Sequence, residues 1–251
     1  MTRQFGGEFT SFNASQRLVS LWLKQTDELL KQRAQTRVFA LLFRQKVERT
    51  MNNIINLNTT KNRKITLDKP GKYTLFFFNL CSQPEITITS ENIDVNILGI
   101  YIGRKNDSFY LNTTQHHKVG KSKSNLLIKG IFFDDAKFYY EGLIKIDKNA
   151  QKTQAHQKNQ NIIESPDCHI ESKPFLEIKA NDIICTHGST TGQISADQLH
   201  YLQTRGMKKN QAKKLLFEGF VQEIFDIMNT SQIDKKIIEK YKKEILTLLI
   251  K

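Results

Sequence analysis

Between residues 64 and 194, short runs rich in β-branched and aromatic residues alternate with turn formers. The runs cover 73–78, 86–89, 95–102, 126–133, 138–146, 175–178 and 183–185. Pro70-Gly71, Asp134-Asp135, Asp147-Lys148-Asn149, Ser165-Pro166-Asp167 and Asn181-Asp182 bound them, cutting the extended chain into strand-length pieces. This predicts a mainly β domain. Periodicity alone leaves a sandwich, a barrel and a solenoid open. Spacings of about 20 residues between the strand centres Ile144, Ile163 and Ile183 fit stacked coils of a parallel β-helix.

The flanks follow a different period. Over residues 15–51, Leu18, Leu21, Trp22, Leu29, Leu30, Val38, Leu41 and Leu42 recur at helical spacing, which predicts one long helix or two with a break near residues 32–35. After Gly192 the pattern is helical again. Ser195 followed by Gln198 reads as a capping box, and a helix over residues 196–205 should stop at Gly206. A second stripe joins Ala212, Leu215, Leu216, Phe220, Ile224 and Ile227, and a third begins near Ser231 and passes through Ile237, Tyr241, Ile245 and Leu249. Helices this apolar cannot bury all their faces against one another, so some surface should meet the β core or a partner. The expected division is an N-terminal helical segment at 1–60, a β core at 61–194 and a C-terminal helical region at 195–251.

Composition narrows the class. With 39% hydrophobic and 25% charged residues in 251, the chain is neither disordered nor a disulfide-dense miniprotein. Apolar runs such as Leu75-Phe76-Phe77-Phe78 fall far short of the roughly 20 residues a bilayer span needs, so no membrane insertion is expected. The first seven residues lack the apolar core of a secretory signal, and three cysteines (Cys81, Cys168, Cys185) suit a reducing, cytoplasmic setting. The net charge of +13 would draw nucleic acid or an anionic surface through its long-range field. However, the excess is mostly lysine in a chain also heavy in asparagine and isoleucine, the bias of an AT-rich genome, and no basic run is interleaved with stacking aromatics. Charge therefore reads as composition, and no nucleic-acid partner is expected.

The common catalytic signatures are absent from the sequence: there is no phosphate-cradling glycine loop, nucleophile elbow or zincin helix. A carbohydrate-acting β-helix enzyme would need converging carboxylates, and the strand-borne acids Glu141 and Glu177 have no obvious partner. The one compact polar constellation is Cys185-Thr186-His187-Gly188-Ser189-Thr190. On a strand, Cys185 and His187 share a face because the pleat has period two, and a thiolate beside an imidazole suits iron or zinc. A packed cysteine next to a hydrogen-bonded histidine explains the pair as well. Cys168-His169 lies upstream, and a coil as long as the interval from Cys168 to Cys185 would stack it beneath Cys185 and His187. His116-His117 falls in a polar stretch, residues 112–124, that reads as an exposed loop.

The run from Lys145 to Gln157, then Lys173-Pro174-Phe175-Leu176-Glu177-Ile178, then the block from Asp182 to Gly192, then Gln198 to Gly206 and the helix through Ala212 and Gly219-Phe220, resembles the C-terminal half of the SufB/SufD family. Cys-Thr-His-Gly-Ser-Thr is closer to the SufD pattern, Cys-Ser-His-Gly-Ala-Thr, and Ile178 stands where SufB carries a cysteine. The resemblance implies a right-handed parallel β-helix flanked by helices, acting without catalysis of its own in iron–sulfur cluster assembly. It implies a SufB-like partner and a SufC-like ATPase docked on C-terminal helices, with Tyr201, Arg205, Gly206 and Phe220 as docking candidates. It places His187 at the partner interface, where a transient iron–sulfur cluster would form, with Cys185 as a weaker candidate and no cofactor held tightly by the chain alone. Family members carry a larger N-terminal region. The short form and the composition suit a bacterial cytoplasm, an endosymbiont's reduced genome or an organelle.

Overall fold

The computed structural model describes residues 53–231 and 235–250. The expected helix over residues 15–51 lies outside them. The described strands are β1 (Asn53–Asn56), β2 (Lys64–Leu67), β3 (Gly71–Phe78), β4 (Glu85–Ile88), β5 (Ile93–Gly103), β6 (Ser108–His117), β7 (Lys123–Phe132), β8 (Lys137–Ile146), β9 (Thr153–Ile163), β10 (His169–Ile178) and β11 (Ile183–Gly192). Odd-numbered strands form one six-stranded sheet and even-numbered strands a five-stranded one, each stacked in chain order. Every pairing in both sheets is parallel. The chain thus crosses from sheet to sheet once per half-coil, which makes the β core a parallel solenoid, the architecture that the family resemblance implies among the three the periodicity left open. The first described strand begins at Asn53.

Coil length departs from expectation. One column of the odd sheet stacks Asn53, Tyr73, Val95, Ser124, Ala155 and Cys185. The coil therefore widens along the chain, from its shortest step, Asn53 to Tyr73, to its longest, Ser124 to Ala155. Ile144 belongs to the even sheet, whereas Ile163 and Ile183 belong to the odd one, so the three do not stack. A left-handed residue turns the chain into the odd sheet on successive coils, at Asn92, Lys121 and Lys152. The Asn92 N–H donates to the Lys121 carbonyl at 3.1 Å and the Lys121 N–H to the Gln151 carbonyl at 2.9 Å, so each corner is pinned to the next.

The lumen between the sheets is aromatic in its middle. Tyr101 packs against Phe109 and Phe138 at ring distances of 5.4 and 4.5 Å, and its hydroxyl donates to the Leu80 carbonyl at 2.5 Å. Toward the C-terminal coils the inward positions become polar: Thr113, Gln115 and His117 on β6, Ser124 on β7, and Gln157, Asn159 and Asn161 on β9 are all buried. The 112–124 stretch is therefore not an exposed loop. It contains the end of β6, whose pleat sends His117 into the lumen, against Ser124 Oγ at 2.8 Å, and His116 outward to Asp147 at 3.1 Å.

Burial, with His116 adding to it, pushes the His117 pKa down to about 4 from 6.5. Between those values the unfolded chain binds a proton that the folded chain refuses, so stability falls as pH falls through that window. The stability difference between the wild type and His117→Gln should shift against the wild type by about 3 kcal/mol from pH 6.5 to 4, measured by urea denaturation. A flat difference would show that His117 titrates alike in both states.

The outer face of the odd sheet is apolar over β3, β5 and β7 and lies beneath two helices, α2 (Lys209–Thr230) and α3 (Lys235–Ile250). Phe76, Phe78, Leu98, Ile100, Leu127, Ile131 and Phe133 meet Phe217, Val221, Ile224, Phe225, Met228, Tyr241 and Ile245 there. Lys129 is buried on this face, paired with Glu223 at 2.6 Å, and its ammonium sits 4.5 Å from the Phe220 ring. The surplus apolar surface of these helices is thus largely spent on the β core. Helix α1 (Ala196–Thr204) is different, since none of its residues is buried.

Candidate functional site: the open end of the solenoid

The last coil has a neighbour on one side only. Strand β11 pairs with β9 and β10 pairs with β8, and no described strand pairs with their other edges. Two ten-residue strands therefore present free backbone donors and acceptors side by side, which is the geometry that recruits another strand. Phe175 (50% exposed) and Ile184 (54%) mark the outer rims of this end, with Leu176 and Ile178 also exposed.

Along β11, Ile183 and Cys185 face inward and pack on Ile144, Ile146, Ala150, Ala155 and Ala180. Thr186 faces outward, where its hydroxyl lies 2.7 Å from His156 Nδ1. The alternation then returns His187 to the lumen side, so the same-face expectation for Cys185 and His187 follows from the observed strand. His187 is nonetheless exposed, being on a coil that the chain leaves uncovered. Directly beneath it in the register lies Gln157, and Ser189 and Thr191 lie over Asn159 and Asn161.

The two thiols near this end differ from a metal cage. Burial pushes the Cys185 and Cys168 thiols up, which keeps both protonated near neutrality. Cys185 therefore behaves as a small packed residue. Cys168 precedes β10 on the other sheet, with its thiol 3.4 Å from the Asp134 carbonyl, and His169 faces outward beside the Tyr139 ring at 5.4 Å. The stack of Cys168-His169 beneath Cys185 and His187 does not form, because the coil is longer than that interval and sets Ala155 and Gln157 beneath the pair instead. Among the described residues, no three His, Cys, Asp or Glu side chains converge as a metal site. What this end offers is one exposed imidazole at a free edge.

Glu177 does not suit the general-acid role of a glycosidase. Glu177 sits between Lys145 and Lys179, each at 3.1 Å, and hydrogen bonds from those lysines hold its carboxyl below the usual range. A general acid needs the opposite shift.

Helix α1 carries the other candidates. Ser195 Oγ accepts from the Gln198 N–H at 3.4 Å. At the far end Gly206 takes φ +88°, its N–H donates to the Gln203 carbonyl and the Met207 N–H donates to the Leu202 carbonyl, a Schellman stop at the expected glycine. Tyr201 is exposed, with the Arg205 guanidinium 5.2 Å from its ring. Phe220 lies apart from these three, half-buried against the β7 face. Sequence reasoning passes over Gln157 and the edge residues Leu176 and Ile184. The adjacent Phe175-Leu176 pair is the available signal, since neighbouring residues on a strand point to opposite faces and both cannot be buried in one lumen.

The SUF-system SufBD core domain, described as acting in iron–sulfur cluster assembly, matches residues 29–220. The Escherichia coli iron–sulfur cluster assembly protein SufD is 28% identical over 153 residues, which cover 61% of this chain and 36% of that protein. A SufBD family protein of Synechocystis is 31% identical over 164 residues, 65% of this chain and 35% of its own length. Bacillus subtilis SufD is 26% identical over 144 residues, 57% of this chain and 32% of its own length. The chain thus spans about a third of the length of these relatives. Its parallel two-sheet core and the family match over most of its length establish that this chain belongs to the SufBD core family of the SUF iron–sulfur cluster assembly system.

Proposed function

We propose that the chain is a SufD-like subunit of an iron–sulfur cluster assembly scaffold, and that it pairs with a SufB-like subunit through the free edges of β10 and β11. The observation that carries this reading is the uncovered last coil, where two parallel strand edges, an apolar rim and His187 lie together. A partner strand would satisfy the free backbone groups, cover Phe175, Leu176, Ile178 and Ile184, and bring its own ligands to His187. The cluster is cargo shared across this junction, held transiently, and His187 is the metal ligand this chain contributes. Cys185 is the weaker candidate because its thiol is packed and protonated. The subunit performs no turnover itself. A SufC-like ATPase supplies the driving force and docks on exposed helix α1, at Tyr201, Arg205 and Gly206, with Phe220 anchoring the next helix to the sheet beneath. Among the described residues no helix is long and apolar enough to cross a membrane, consistent with work in the cytoplasm or an equivalent compartment.

The test places charge on the rim. The wild-type chain co-expressed with a SufB-like subunit should elute as one species, and Phe175→Lys with Ile184→Lys should weaken that association at least about ten-fold. Both positions are exposed, so circular dichroism of the free chain should not change. Undiminished association of the doubly substituted chain would exclude this end as the junction.

A further inference from the structure

We propose that Gln157 is a positioning residue for His187, its amide oxygen accepting from the His187 Nδ1–H and so presenting the Nε2 lone pair outward from the open end. The inference rests on the reading of His187 as a ligand at the junction.

Gln157 is the register partner of His187 and shares its lumen-side face. It is only 3% exposed, and its Oε1 makes no hydrogen bond in this structure, to His187 or to any other described residue, so the proposed bond forms when the exposed imidazole turns down onto its register partner. A buried acceptor left unpaired is costly, so such an atom needs a donor from something close by. The amide is also held in place. Its Nε2 donates to the Gly142 carbonyl at 3.4 Å. A Cβ at residue 142 would lie 2.3 Å from that nitrogen and 2.3 Å from the Tyr140 hydroxyl, so glycine there leaves the space the amide occupies. With the nitrogen committed to β8, the oxygen is the free end.

Neighbouring positions show that this strand pair makes such bonds. Farther along the same face, the Asn161 amide donates to Thr191 Oγ1 at 3.4 Å, and on the opposite face His156 meets Thr186 at 2.7 Å. Gln157 is the buried β9 amide that stands beneath an imidazole. An imidazole that donates through one nitrogen is fixed in tautomer and orientation for coordination through the other.

Imidazole ¹⁵N shifts of the full chain, recorded above the imidazole titration range, read the tautomer directly. Wild-type His187 should be mainly the Nδ1–H form. Gln157→Met should shift it to mainly Nε2–H, Gly142→Ala should do the same by displacing the amide, and Gln157→Glu, which keeps an acceptor, should retain Nδ1–H. An unchanged His156 signal reports that the strand pair is intact. In the complex with a SufB-like subunit, Gln157→Met should lower cluster loading about ten-fold. A wild-type His187 that is mainly Nε2–H, or a tautomer indifferent to Gln157→Met, overturns the positioning role whatever the cluster does. A full cluster in the His187→Ala complex overturns instead the reading on which the inference rests.

Discussion

Replacing His187 with Ala should leave the chain folded and able to join a SufB-like subunit, but the reconstituted complex should accumulate no iron–sulfur absorption. Folding should be spared because the side chain is exposed on an end coil, and assembly should be spared because backbone edges and the apolar rim provide the contact. On the proposed reading, loss of the imidazole removes this chain's ligand from the shared site, and Cys185, packed inward against Ala155 and Ala180, is not placed to take over. Cys185→Ser is the matching control and should keep the cluster, since it alters a packed thiol. Wild-type absorption bands in the His187→Ala complex would make His187 structural.

The second large effect lies in the core. Phe138 is fully buried in the lumen, between Tyr101 at 4.5 Å and Phe132 at 5.4 Å. Truncation to Ala leaves a cavity walled by rings that are themselves stacked on the coils to either side, so they cannot collapse into it. Phe138→Ala should cost about 3–5 kcal/mol, measured as a fall in the urea midpoint at constant slope. A loss below about 1 kcal/mol would mean that the lumen repacks freely.

These two sites differ in how far the sequence announces them. Strands β3, β5 and β7 are legible as continuous apolar runs because their inner faces fill the lumen and their outer faces lie under α2 and α3. Strands β6 and β9 are hidden, because Thr113, Gln115, His117, Gln157, Asn159 and Asn161 fill the lumen with polar groups that read as loop. Missing those strands also miscounts the coil: the even spacing of Ile144, Ile163 and Ile183 joins positions on different sheets, while the true steps, Val95 to Ser124 and Ser124 to Ala155, need both hidden strands. His116-His117 misleads for the same reason, since only strand geometry reveals that adjacent histidines go to opposite sides. Pleat alternation does make the shared face of Cys185 and His187 readable, and the stop at Gly206 follows from the one residue type best suited to its backbone angle. That β11 is an edge is invisible in its composition, because an edge is defined by what fails to pair with it.

The change of lumen from aromatic to amide bears on the order in which the molecule acquires structure. In a solenoid each coil touches only its neighbours, so local stability is set coil by coil and ordering spreads from wherever it is strongest. Here that place is the aromatic layer around Tyr101, and ordering runs from it toward the amide-lined coil under β10 and β11. On this picture the His187 end should order after the aromatic layer and fray before it, which hydrogen exchange of β11 against β5 would read. A docking subunit that continued the sheets, as proposed, would supply the missing neighbour, and the strand bearing His187 would stiffen as the partner arrives.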